Sequence, residues 1–189
     1  MTTDKATIIE AVCAAVDRGD AAGATAAAKE YPFMLHTNGG RAYSVLEATQ
    51  IFIRDGFIDR YSGDRLINPG VLRVLSELYP AEFPFHKNWK MSETHPAYWE
   101  LVPTIDHIVP VARGGTDSES NWVTTSMLRN SAKSNWTVGE LGWQLLAPGK
   151  LSNWDGLTSW LIRYIEDQGL KNHKGYVIQW YKAASKVLV

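Results

Sequence analysis

The sequence predicts an α+β fold in which a small strand, loop, strand and helix unit is embedded in a mostly helical single domain. Apolar residues recur at helical spacing near both ends of the chain. The stretch "TIDHIVPV" (104–111) reads as a short strand that stops at Pro110, and "NWVTTS" (121–126) gives a second, β-branched run directly before a helical pattern. With 189 residues, 45% of them hydrophobic, the chain can bury a proper core.

The elements follow in order. In "DKATIIEAVCAAVDRGD" the residues Ile8, Val12, Ala15 and Val16 recur at helical spacing and Gly19 interrupts the pattern, after which Asp20 caps the alanine-rich "AAGATAAAKE". A third helix is expected from about Tyr43 to Arg54 on a stripe of Val45, Ala48 and Phe52. "DRYSGDRL" (59–66) reads as a tight turn at Ser62-Gly63-Asp64 between two short extended pieces. Asn68 followed by Pro69 starts a fourth helix whose buried face is Val71, Leu72, Leu75 and Leu78. The proline- and aromatic-rich stretch 80–103 has no clean period and reads as a long packed connection. Thr137 and Glu140 form a capping box that should open a helix over "VGELGWQLL". "WDGLTSWLIRYIEDQG" places Trp154, Leu157, Leu161, Tyr164 and Ile165 on one face, and the last helix gathers Val177, Tyr181, Ala184 and Leu188. The chain thus divides into a helical segment (1–40), helices with a hairpin and an aromatic-rich connection (41–102), the strand, loop, strand and helix core (103–136), and a helical extension (137–189).

Composition limits the function. The net charge of −1 gives no molecule-wide basic field, so binding to a polyanion requires a local patch, for which "HKNWK" (86–90) with Arg54, Arg60 and Arg65 is the candidate. One cysteine, Cys13, forbids an internal disulfide and a paired-cysteine zinc site, which fits a reducing, cytoplasmic setting. No run approaches the roughly 18 apolar residues of a membrane span, and no membrane partner is expected. His86 and His95 lack metal-ligand spacing and read as structural, His173 reads as surface, and Trp154 and Trp160 read as core.

The residues that carry chemistry lie between 104 and 133. Asp106 and His107 interrupt an apolar strand close to its end, Arg113-Gly114-Gly115 supplies a turn, and Thr116 to Ser120 fill a polar loop. From the N-cap Ser126, a helix over "MLRNSAKSN" should pack through Leu128 and Ala132 and present Asn130 and Lys133 on another side. Asp106, His107, Asn121, Asn130 and Lys133 then converge from three places in the sequence.

"DHIVPVARGGTDSESN" followed by "NSAKSN" resembles the HNH endonucleases, whose catalytic unit is the ββα-metal fold. The resemblance covers Pro103 to Asn135 and reaches loosely back to "DRYSGDRL", where many relatives carry a Cys-x-x-Cys pair. No cysteine occurs here, so no structural zinc is expected and packing must replace it, with the eight tryptophans as candidates.

Phosphodiester hydrolysis needs an activated water and neutralised phosphate charge. An imidazole, whose unperturbed pKa is about 6.5, suits the general base, and His107 supplies one. Asp106 and Asn130 offer hard oxygens suited to Mg²⁺ or Mn²⁺. The resemblance implies that Asn121 ties the loop and holds His107; Lys133, and after it Arg113, are the cations expected to meet phosphate oxygens. DNA is the implied substrate, in restriction, defence or a mobile element, with a homodimer or a partner protein supplying specificity. The competing reading is a non-catalytic DNA-binding or assembly protein that keeps the fold; intact Asp106, His107 and Asn130 favour the enzyme.

Overall fold

The structure, a computed structural model, describes residues 5–32 and 43–188. The chain separates into two compact units, 1–40 and 41–189, and the boundary itself lies outside the described residues. The first unit is a helical hairpin of α1 (Lys5–Asp17) and α2 (Ala21–Lys29). Asp20 caps α2 by accepting from the Gly23 amide at 2.8 Å. Ala15 is buried against the second helix, Ile8 and Val12 are half-buried, and Val16 is exposed.

The larger unit is α+β. It contains α3 (Val45–Arg54), α4 (Pro69–Leu78), the short α5 (Ala97–Glu100), strands β1 (Pro103–His107) and β2 (Trp122–Ser126), α6 (Met127–Lys133), α7 (Thr158–Asp167) and α8 (Tyr176–Leu188). The main core forms where α3, α4, α7 and α8 bring Phe52, Val71, Val74, Leu161, Ile165 and Trp180 together, and Ile105 and Trp122 carry it to the strands. A second cluster of Leu72, Ala97, Tyr98 and Val102 packs the aromatic-rich connection against α4. Local chemistry starts these helices. Asn68 accepts from the Gly70 amide at 2.9 Å, and Ser44 with Glu47 closes a capping box on α3.

Four sequence expectations change. On α4, Val74 is buried and Leu78 is half exposed, because the helix turns its last residue beyond the core. On α8, Leu188 is exposed for the same reason. Thr137 and Glu140 do make their reciprocal bonds, yet no helix follows. Gly142 adopts φ +65°, and residues 143–150 run as an irregular strap, the Leu146 and Gly149 amides donating to the carbonyls of Arg60 and Asp55. The fourth change concerns α6: Leu128 and Ala132 face solvent, and the Asn130 and Lys133 side packs on β1.

The hairpin at "DRYSGDRL" closes through a single antiparallel bridge, Ile58 to Arg65. Buried carboxylates, more than tryptophans, fasten it to the strands. Asp59, 1% exposed, accepts from the Ser126 amide (2.9 Å), the Thr125 hydroxyl (3.0 Å) and the Tyr61 amide (2.9 Å), with the Arg129 guanidinium 3.5 Å away. Asp55 accepts from the Thr124 amide at 2.8 Å and pairs with Arg54 and Arg60. Arg54 and Arg60 are therefore committed to internal acceptors rather than free for a basic patch: Arg54 also donates to the Trp122 carbonyl at 2.6 Å and Arg60 to that of Leu146. Tryptophans contribute at the margin, Trp143 tilted on Tyr61 and Trp154 donating to the Leu66 carbonyl.

Candidate active site

β1 and β2 pair antiparallel, with Asp106 opposite Val123 and His107 opposite Trp122. The Met127 amide donates to the Val102 carbonyl, so α6 leaves β2 beside the start of β1. Ser126 caps it by accepting from the Arg129 amide at 3.2 Å. A strand, a returning strand and a helix thereby enclose one small region.

An acidic residue inside an apolar strand is tolerated because its charge is met on two sides. Asp106 is 7% exposed, and its Oδ2 accepts from the Tyr61 hydroxyl at 2.6 Å and from the Lys133 ammonium at 2.9 Å. Burial, and next the Asp106 charge, push the Tyr61 hydroxyl well above its ordinary range, so it stays a donor. Lys133 is fully buried and also donates to the His107 carbonyl at 2.8 Å. The expected phosphate contact for Lys133 is thus replaced by an internal role, since an ammonium with no exposed surface and two acceptors in place is committed to the protein.

Asn130 turns its Nδ2 toward β1, 3.2 Å from the Ile105 carbonyl and 3.4 Å from the Thr104 hydroxyl. Its Oδ1 and the Asp106 Oδ1 have no hydrogen-bond partner among the described residues. No group of three or more His, Cys, Asp or Glu able to hold a metal occurs among the described residues. What the site offers a cation is one carboxylate oxygen and one amide oxygen. Hard oxygens of this kind are the donors that Mg²⁺ or Mn²⁺ takes, with its remaining positions left to water or substrate.

Asn121 is buried and spends its whole amide on the loop. Oδ1 accepts from the Val109 amide at 2.9 Å, and Nδ2 donates to the carbonyls of Val109 and Thr116, both at 2.8 Å. Two glycines permit this closure. Gly114 adopts φ +87°, and a Cβ on Gly115 would overlap the Val109 carbonyl and crowd the Asn121 amide. His107, with its side chain 21% exposed, follows Asp106 at the end of β1, its Nε2 near Asp117, Trp122 and Tyr43.

Arg113 lies away from this cluster, 3.5 Å from Glu140 and above the Trp136 ring. His95 stacks on Phe83 and accepts from the Ala97 amide, and His86 accepts from the Asn88 amide, so both serve local structure. Sequence reasoning missed Tyr61, Asp59 and Asp117. The first two sit in a turn whose partners lie more than 40 residues away. Asp117 belongs to a polar loop that gives no periodic signal.

Residues 102–138 match the family model described as HNH endonuclease, a span that takes in both strands, the loop and α6. No curated protein and no solved structure matches the chain.

Proposed function

We propose, on the premise that residues 102–138 form an HNH endonuclease unit, that this protein is a metal-dependent endonuclease that hydrolyses phosphodiester bonds in DNA. The observation that carries the reading is the reach of one helix: Asn130 and Lys133 of α6 grip Ile105, Asp106 and His107 of β1 together. In this reading the grip serves to keep the Asp106 and Asn130 oxygens near the His107 imidazole, as a preorganised hydrolytic site requires.

In this reading His107 takes the proton of the attacking water. Asp106 and Asn130 are the residues that would hold Mg²⁺ or Mn²⁺, which when bound supplies Lewis-acid stabilisation of phosphate charge. Asn121 and Lys133 are positioning residues that fix the loop and the Asp106-His107 backbone without touching substrate. Arg113, 41% exposed and only loosely paired with Glu140, is free to exchange that partner for a phosphate oxygen.

The test is plasmid cleavage in Mg²⁺ or Mn²⁺, with and without chelator, beside His107→Ala and Asn130→Ala. Nicking that requires the ion and falls on the order of 10²-fold or more in both variants is expected. Undiminished nicking by His107→Ala would remove the proposed base, and binding without cleavage in any metal would favour a non-catalytic DNA-binding protein.

A further inference from the structure

The imidazole of His107 has a neighbour outside the strands and the helix. Asp117 Oδ1 lies 3.1 Å from His107 Nε2 and 3.1 Å from Trp122 Nε1. The same indole N–H is shared with His107 Nε2 at 3.2 Å, and the Tyr43 hydroxyl is 3.4 Å from that nitrogen.

Of these contacts, the carboxylate one bears most directly on where the imidazole proton sits. The indole has a single N–H and can only donate. If Nε2 carried no proton it would turn a lone pair toward a carboxylate oxygen at hydrogen-bond distance, which is repulsive. If Nε2 carries the proton, both it and the indole donate to Asp117 Oδ1 at 3.1 Å, and the indole gives up its longer contact to Nε2 for the carboxylate. Nδ1 is then the nitrogen with a free lone pair, and no described residue bonds it.

We propose that Asp117 is a positioning residue whose carboxylate holds His107 in the Nε2–H tautomer and so leaves Nδ1 as the atom that accepts the proton of water. The proposal deepens the nuclease reading, on which its catalytic meaning rests. Placement of the carboxylate is built into the loop: Asn121 ties the Thr116 carbonyl immediately before Asp117, and the linked hydroxyls of Thr116, Ser118 and Ser120 brace the same turn. When Nδ1 takes a proton, the resulting imidazolium faces the Asp117 charge through its other nitrogen, the orienting role that carboxylates play for histidine bases elsewhere.

The experiment is ¹⁵N NMR of histidine-labelled full-length protein at about pH 9, where an ordinary imidazole is neutral, with the His107 signals assigned by their loss in His107→Gln. The wild-type protein should show Nε2 protonated. In Asp117→Ala the Trp122 N–H loses its acceptor and turns to Nε2, so the signals should move to the Nδ1–H pattern. Asp117→Asn keeps a carbonyl oxygen and should keep the wild-type pattern. Cleavage should fall on the order of 10²-fold in Asp117→Ala and less than about tenfold in Asp117→Asn. A wild-type Nδ1–H pattern overturns the proposal without reference to any variant, as does an unchanged tautomer in folded Asp117→Ala. The tautomer is read without substrate, so a shift in a protein that cleaves nothing would overturn the nuclease reading alone.

Discussion

Lys133→Met removes a buried charge while keeping the length and most of the volume of the side chain. The ammonium has no exposed surface and bonds Asp106 Oδ2 at 2.9 Å and the His107 carbonyl at 2.8 Å. Its loss leaves Asp106 with the Tyr61 hydroxyl as its one remaining partner among the described residues, and strips a carbonyl of its side-chain donor. Removing one member of a buried ion pair costs about 3–5 kcal/mol. For a chain of this length each kcal/mol moves the midpoint by roughly 2–4 °C, so Tm should fall by roughly 6–20 °C. Asp106→Asn strands the ammonium and should cost a similar amount. In the double variant neither charge is left without its counter-charge, so it should cost less than the sum of the singles by about 1–3 kcal/mol. Urea titrations followed by tryptophan fluorescence give all three values, with equal m-values as the check that they are comparable. If the two single costs add to within about 0.5 kcal/mol, the charges are not coupled and this account of the site is wrong.

Asp59→Ala removes the acceptor for the Ser126 and Tyr61 amides and the Thr125 hydroxyl, and should cost about 3 kcal/mol or more in the same titration; a loss below about 1 kcal/mol would show that water replaces it. Gly115→Ala forces the 109–116 turn apart and should cost about 1–3 kcal/mol, with faster hydrogen exchange at the Val109 amide; unchanged exchange refutes the close approach. Tyr61 supplies a pH signature. Its folded-state hydroxyl is raised by burial above the ordinary value of about 10, so its contribution is complete below about pH 10 and is lost as pH rises beyond, where unfolded chains release the proton first. Unfolding titrations between about pH 8 and 11 should show a shallower alkaline loss in Tyr61→Phe, the remainder coming from Tyr176, which burial also raises.

What could be read from the sequence followed the range of the interactions. Helix starts are local events, and Asn68-Pro69, Ser126 and Asp20 announced theirs within three residues. The α+β class and the strand, loop, strand and helix order were equally visible, because a β-branched run and a turn are also local. Burial was harder. The side of α6 that packs was inverted, since Leu128 is more apolar than Lys133 and nothing near either residue reveals that Asp106 and the His107 carbonyl await an ammonium. The helix expected after Thr137 fails for a related reason: the cap forms, but the strap bonds of Leu146 and Gly149 to Arg60 and Asp55 draw the chain into another course. Asp55, Asp59 and Tyr61 found their partners across 45 to 69 residues of chain, a separation at which spacing carries no information.

The buried carboxylates of the hairpin have a consequence for how far this unit can be moved between proteins. Cut out at the edges of the recognisable motif, residues 102–138 would lose Asp55, Asp59 and Tyr61, and with them the acceptors of the Thr124 and Ser126 amides and one of the two donors on Asp106. The portable piece is therefore wider than the recognisable one: any transplant to a new scaffold must carry the turn at 55–66 along, or supply its oxygens anew.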